Sequence, residues 1–533
     1  MLGCTEVMIP LVLFAAALVV RVAVGAAFAG PAYPDSYYYV HVAQQLAAGH
    51  GFTVDYLWNL DDAAGGLLAS GTLPLPANGY WMPLAEIVQV PFIVLLGPTW
   101  IASGLPMWLA GALAAPLTYL IGLDAGFAAS AAVAAGLLAA IPGALTPFFG
   151  QPDNFGLFMV LGALALWLCA RGLRGDRRAF VLGGLVVGLA ALTRADGLLL
   201  GVPFALAFTR EFLPGRERVI GWVAALGCAA LFALVLGPWL LRQLDVFSSL
   251  SPAAGSGRAL WLTDYQQLFS IANPPSAESF WAQGVGTIVA SRIGGFVAAI
   301  GLFALLPLVV VLAPFFVAGA WVRRTDRVFA PFLVYAGLFF VMSGLVFAVL
   351  VPHGTFIHSA VALLPHAYLL VVAGIGAVIG WVARRRPSWD AARATMIFGY
   401  GAVAVAVVGA AVQSMTTIGR WTEQRATQSH LAAAVSSAAD PGDRVMSADP
   451  GAYLFLTGHG GIVTPNDDLA TIEDAARRYD VRWLVLEPSE IVPALAPVLA
   501  GDESPAWLSR PVAVASGAVY AVCLDPTDAR CAQ

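Results

Sequence analysis

Pro31-Ala32-Tyr33-Pro34-Asp35-Ser36-Tyr37-Tyr38-Tyr39 follows directly on an apolar run that ends near residue 29. The stretch sets a carboxylate and four tyrosines where a membrane span has just ended, and tyrosines of this kind are enriched at lipid–water boundaries. Two readings of Asp35 stand at this point. Either it N-caps a helix that starts at Ser36, with the tyrosines as an interfacial belt, or it belongs to a reaction centre that serves a lipid-borne substrate from the membrane surface. The rest of the chain bears on the choice.

Of 533 residues, 59% are hydrophobic and 11% charged, and the mean hydropathy is +0.80. A water-soluble chain of this composition has too little polar surface to cover itself, so the sequence reads as an α-helical polytopic membrane protein. Apolar stretches of spanning length occur near 9–29, 100–121, 126–146, 155–170, 218–240, 295–320, 328–351, 357–382 and 394–412. Residues 84–97 are short and carry Glu86, Gln89 and Pro91, which fits a re-entrant or interfacial segment. Residues 179–209 are too long for one span and are interrupted by Thr193-Arg194-Ala195-Asp196-Gly197.

All 27 basic residues are arginines. Those in loops cluster at Arg171/Arg174/Arg177/Arg178, Arg210/Arg216/Arg218, Arg323/Arg324/Arg327 and Arg384/Arg385/Arg386. The excess of positive charge on cytoplasmic loops assigns all four to one side only if 179–209 is a hairpin with Arg194 and Asp196 at its outer tip. With the N-terminus inside, about eleven spans result. Segments 30–98, 146–154, 193–196, 241–294 and 352–356, and the C-terminal region, then face outward.

Ala27-Phe28-Ala29 resembles a signal-peptidase site, but no basic region precedes it and Arg21 lies within the apolar run, so 9–29 reads as a retained span. Arg21 must face the bundle or snorkel, and a structural role is expected of it. The chain divides into a transmembrane domain 1–415, a linker 416–439 and an exported α/β accessory domain 440–533. That last region alternates strand-like and helix-like patches: Arg444 to Ser447, Leu469 to Arg478, Val481 to Leu486, Ile491 to Leu499 and Val512 to Val522. It holds neither a phosphate loop nor a nucleophile elbow. Asp449, His459, Asn466 and Asp467 there read as loop caps or as the lining of a site. Cys523 and Cys531 are positioned to pair in an oxidising compartment. No histidine–cysteine cluster has metal-ligand spacing, and the arginines lack the patch with interleaved aromatics that nucleic-acid binding requires.

The polar residues of the outward loops are the functional candidates. Gln151-Pro152-Asp153-Asn154 brings a second carboxylate to the side of Asp35. The hairpin tip supplies Arg194 and Asp196, and a planar, permanently charged guanidinium suits a phosphate or pyrophosphate headgroup, although an internal ion pair from Arg194 to Asp196 or Asp153 is the competing reading. Pro352-His353-Gly354-Thr355-Phe356-Ile357-His358-Ser359 adds two imidazoles. The loop 241–294 is long and rich in aromatic and polar residues, Tyr265 among them, as functional loops usually are.

These residues resemble the membrane glycosyltransferases of the GT-C fold, in particular the dolichyl-phosphate-mannose protein mannosyltransferase and lipid A aminoarabinose transferase branch. The match spans most of the first 415 residues. Arg21, Asp35, Tyr38 and Leu46-Ala47-Ala48-Gly49 resemble that family's first span, its acidic site and its Tyr-rich helix. Met82-Pro83-Leu84, Asp153, Thr193-Arg194-Ala195-Asp196-Gly197 and Pro238-Trp239-Leu240-Leu241-Arg242-Gln243 follow in the family's order. Two positions depart from it. The acidic pair is only Asp35-Ser36, and a late Arg-Tyr element is replaced by Phe356-Ile357-His358-Ser359.

The resemblance implies inverting transfer of a sugar from a polyprenyl-phosphate donor to an acceptor of unspecified kind on the outer face of the membrane, and the absence of lysine with the wealth of alanine, arginine and glycine suggests a GC-rich bacterial genome, hence a bacterial plasma membrane. Asp35 would be the general base, and Arg194 with His358 or Arg242 would hold the lipid phosphate. Asp153 would orient the acceptor or Asp35, or bind a divalent cation if one is used. Tyr38, His353, Asp196 and Tyr265 are the further candidates for substrate contact. No nucleotide site is needed, because the donor arrives through the lipid. A transporter or a flippase for lipid-linked sugars is the alternative, but such proteins place ionisable groups at mid-membrane and show paired broken helices.

Overall fold

The computed structural model describes residues 4–59, 71–215, 217–386, 388–514 and 517–524. In lipid every backbone N–H and C=O must be satisfied within the segment, so uninterrupted apolar runs form helices. Seven helices among the described residues are long and apolar enough to span: Met8–Gly25, Trp100–Asp124, Phe155–Gly172, Gly221–Phe247, Val285–Leu305, Thr355–Ala383 and Ala391–Ala438. An eighth results if Ala129–Ala140 and Gly143–Gly150, bent by 57°, make one crossing. The expectation of about eleven counted three further segments that are shorter than a span. These are Arg177–Thr193 and Gly201–Thr209 of the hairpin, and Ala330–Val346. Arg216, one of the arginines used to orient the loops, lies outside the described residues, as does Cys531 and with it the Cys523–Cys531 pairing.

Small residues set how closely the helices approach. Ala313–Arg323 packs on Leu364–Ala383 through Gly319 and Gly374, where an added Cβ would collide with the backbone carbonyls of Leu370 and Phe315. Arg21 resolves the bend in the helix pair. Fully buried, it donates from Nη1 to the Ala140 carbonyl at 2.5 Å and from Nη2 to the Ala139 carbonyl at 3.3 Å, and it lies over the Phe149 ring. The guanidinium thus satisfies carbonyls that the broken helix leaves without an intrahelical partner.

Above one end of the bundle lies a layer of loops. It contains the helix Pro34–Ala47, an antiparallel pairing of Thr53–Val54 with Leu75–Pro76, and the long segment after Phe247. The C-terminal region packs on this layer as an α/β unit. Its six-stranded sheet has the order Tyr56–Leu57, Gly461–Val463, Arg444–Ser447, Val481–Leu486, Gly517–Ala521, Val512–Val514. The first four strands are parallel, Gly517–Ala521 runs antiparallel to them, and Val512–Val514 is antiparallel to Gly517–Ala521.

Two boundary expectations need correction. Residues 416–439 are not a linker: the helix Ala391–Ala438 runs 48 residues without a break. Its last turns bury Gln428, Leu431, Ala432 and Val435, one face at helical spacing, against the sheet unit. Nor is 440–533 self-contained, since Tyr56–Leu57 of the first loop supplies an edge strand. Asp467 of the sheet unit accepts from Ser270 Oγ (2.5 Å), Ile271 N (2.6 Å) and Ala272 N (3.2 Å), which ties down the loop after Phe269. Arg425 donates to the Pro31 carbonyl and to the Tyr37 hydroxyl, both at 2.9 Å.

Candidate active site

Between the bundle and the loop layer is a cavity of about 610 Å³. Asp35, Arg194, Asp196, Tyr265, His353 and His358 all line it. The helix that carries Asp35 starts at Pro34, a residue suited to a first helical turn. Asp35 is therefore not the N-cap that one reading made it. It sits inside the first turn, with its side chain 23% exposed toward the cavity.

His358 lies between the two acids. Its Nε2 is 3.5 Å from Asp35 Oδ2 and its Nδ1 is 3.7 Å from Asp153 Oδ2. Phe155 covers the imidazole, with ring centroids 4.1 Å apart. The helix bearing His358 opens at Gly354, whose φ of +96° is a conformation that favours glycine, so the chain can turn sharply between His353 and His358. Asp153 is fully buried, accepts from the Tyr33 hydroxyl at 2.6 Å and also accepts from the Asn154 backbone N–H. Burial raises the pKa of both carboxyls above the ordinary range. For Asp35 the neighbouring Asp153 charge adds to the rise, while Arg194 and a hydrogen bond from Trp81 oppose it. For Asp153 the Tyr33 and Asn154 hydrogen bonds and then Arg194 oppose it.

Arg194 ends the helix Arg177–Thr193 in an extended conformation, which is why its side chain points into the cavity. Its Nε donates to Asp196 Oδ1 at 3.1 Å and to Ser359 Oγ at 2.9 Å. The internal pair with Asp196 thus forms, but only through Nε, so neither Nη atom is hydrogen-bonded among the described residues. The guanidinium is fixed at its root and presents its fork.

Two expected site residues are elsewhere. Arg242 does not line the cavity: it donates to the carbonyls of Phe52 and Ala77 and lies over the rings of Phe52 and Trp239, holding the loop layer together. Tyr38 is fully buried behind Trp81, its hydroxyl accepting from Asn78 N at 2.7 Å. Conversely, Trp58, Tyr80, Trp81 and Trp421 line the cavity without having been singled out. Trp421, from the 48-residue helix, packs on Tyr33 and Phe148. In the sheet unit Asp449 caps the helix Pro450–Thr457 and Asp467 clamps a loop, so these two act as caps.

One oxygen from each carboxyl and one imidazole nitrogen of Asp35, Asp153 and His358 lie within 4.8 Å of one another. Two hard oxygens and one imidazole make a donor set that fits a divalent cation of the manganese or zinc type.

No protein-family model matches the chain, and no curated protein matches it. Solved structures do. The chain is similar to ArnT from Cupriavidus metallidurans bound to undecaprenyl phosphate, at TM-score 0.55 and 15% identity over 97% of this chain and 98% of that one. ArnT in the apo state gives 0.56 and 15% over 96% and 97%. The Archaeoglobus fulgidus oligosaccharyltransferase in complex with zinc and sulfate gives 0.55 and 14% over 89% and 68%. At these identities the likeness speaks for architecture, and it agrees with the order of motifs along the sequence. The chain is a multi-pass membrane protein with the GT-C fold.

Proposed function

We propose that the chain transfers a sugar from a polyprenyl-phosphate sugar to an acceptor at the outer face of a bacterial plasma membrane, with inversion. The observation that carries this reading is the cavity itself, which is lined by Asp35, backed by the buried Asp153, and by an anchored guanidinium whose fork is open. The acceptor hydroxyl gives its proton to the Asp35 carboxylate as its oxygen bonds to the anomeric carbon. The bond from that carbon to the phosphate oxygen breaks with its electron pair, and Arg194 stabilises the charge that gathers on the departing polyprenyl phosphate. His358, set between the two acids, positions Asp35. Leu198, Leu199 and Met342 line the cavity from the membrane segments and offer an aliphatic surface for the first prenyl units.

The ArnT structure, which carries undecaprenyl phosphate, supports a polyprenyl-phosphate ligand for this fold. If a divalent cation is used, Asp35, Asp153 and His358 would hold it, and it would supply positive charge that offsets the paired carboxylates. The zinc in the oligosaccharyltransferase structure supports that option. The test is release of sugar from a panel of labelled polyprenyl-phosphate sugars by protein in lipid, with and without chelator. Asp35→Asn is expected to lose about 10²–10⁴-fold in turnover. Turnover unimpaired in that variant would overturn the assignment.

A further inference from the structure

The two walls of the cavity differ in chemistry. Segments of the bundle contribute Leu198, Leu199, Met342, Leu350, Val351 and Ile357 beside a few aromatic rings, whereas the loop layer gathers Trp58, Tyr80, Trp81 and Tyr265 in one patch. Trp58 lies 4.8 Å from Trp81 and Tyr80 5.5 Å from Trp81, ring centroid to ring centroid, and Tyr265 stacks flat on His353 at 3.8 Å and 4°. Trp58, Tyr80 and Tyr265 are half-buried and line the cavity.

The wall is rigid. Trp81 is backed by Tyr38 at 4.1 Å, Trp58 is braced by Phe269, and the chain just after Phe269 is held by Asp467. It also adjoins the reaction centre, since Trp81 and Asp35 line the same cavity. Two hydroxyls, Ser251 and Ser256, complete this side. Each donates its single proton to the Ala253 carbonyl, at 2.8 and 2.7 Å, so what each Oγ has left to offer is acceptor lone pairs.

Flat, electron-rich ring faces take up the polarised C–H faces of sugar rings, and hydroxyls restricted to accepting match a ligand dense in O–H donors. We propose that the loop-layer wall is the acceptor subsite and that the acceptor is a neutral glycan, its attacking hydroxyl delivered to Asp35 from the Trp81 side. This identification of the acceptor class rests on the glycosyl-transfer reading above.

The experiment titrates the full-length protein in lipid nanodiscs, without donor, with short mannan, arabinan, galactan and α-glucan oligosaccharides and with Ser/Thr-rich peptides. Intrinsic tryptophan fluorescence and calorimetry are the readouts. At least one oligosaccharide is expected to saturate. Trp58→Ala and Tyr265→Ala are expected to weaken it about tenfold, while Trp58→Phe and Tyr265→Phe, which keep a ring and guard against misfolding, lose about threefold or less. Binding of peptide alone, binding of no probe, or oligosaccharide binding indifferent to Trp58 and Tyr265 would each overturn the proposal. Donor consumption measured in parallel separates the two readings. A protein that consumes donor but binds no oligosaccharide refutes only the acceptor class, and one that binds oligosaccharide but consumes no donor in the presence of that same sugar refutes the transfer reaction.

Discussion

Replacing Arg194 probes the charge that the reaction must stabilise. Its Nε is committed to Asp196 and Ser359, so the interaction with a phosphate runs through the two Nη atoms. A full charge about 4 Å from a phosphate oxygen contributes about 4 kcal/mol at an effective dielectric constant near 20. The part realised only as the leaving group gains charge is what sets the rate, and removal of one comparable oxyanion donor typically costs about 2.7–4 kcal/mol. Arg194→Gln should therefore lower kcat about 10²–10³-fold, with a smaller effect on donor KM. Arg194→Lys keeps a point charge but loses the fork and both anchors, and should recover part of the rate, leaving a loss of about tenfold. Ser359→Ala removes one anchor, worth about 1 kcal/mol, and should cost about fivefold. Single-turnover release of polyprenyl phosphate separates binding from chemistry. If Arg194→Gln stays within about fivefold of the parent, or if the lysine variant is no better than the glutamine variant, Arg194 is not the group that carries the leaving charge.

Two further predictions concern stability. Arg21→Met strands the Ala139 and Ala140 carbonyls at the helix break; after crediting the relief of burying a charge, the net cost should be about 2 kcal/mol. A fall in Tm of several degrees for the detergent-solubilised protein checks this, and an unchanged Tm contradicts it. In the sheet unit, burial and then the neighbouring Glu490 push Glu487 up to about 7 and Asp449 up to about 8. Both fold in the protonated form, so the stability they contribute is present at low pH and lost as pH rises from the ordinary carboxyl range toward those values. Glu487→Gln keeps a partner for the Tyr453 hydroxyl and should make the Tm-versus-pH profile less steep over about pH 4.5–7; an unaltered slope would show that Glu487 is not the titrating group.

Asp35, Asp153, Arg194 and His358 were legible in the sequence because ionisable groups at the ends of apolar runs are costly and stand out. The aromatic wall was not. In a chain with 15 tryptophans, 14 tyrosines and 29 phenylalanines, no local signal marks Trp58, Tyr80 or Trp81, whose meeting depends on loops folding together. Arg242 differs for a related reason: the motif around it looks like a phosphate site, but in the fold its guanidinium donates to the backbone carbonyls of Phe52 and Ala77. Residues 416–439 lose the hydropathy of a span but keep the propensity of a helix. From Trp421 to Ala438 there is neither glycine nor proline, and Ala, Gln, Leu and Arg favour the helix that forms. The strand Tyr56–Leu57 has only two residues and carries no periodicity to detect.

That short strand bears on biosynthesis. Its partner, Gly461–Val463, leaves the ribosome roughly 400 residues later, which at about 5–20 residues per second takes about 20–80 seconds. Over that interval the first loop, which carries Asp35 at its start and Trp58 just past the strand, has no sheet to join, and the clamp from Asp467 on the later loop does not yet exist. The sheet edge beside Trp58 and the Asp467 clamp can therefore form only after residues 461–467 have been made. A nascent or truncated chain, even one with all its spans in place, would lack the bracing of the aromatic wall.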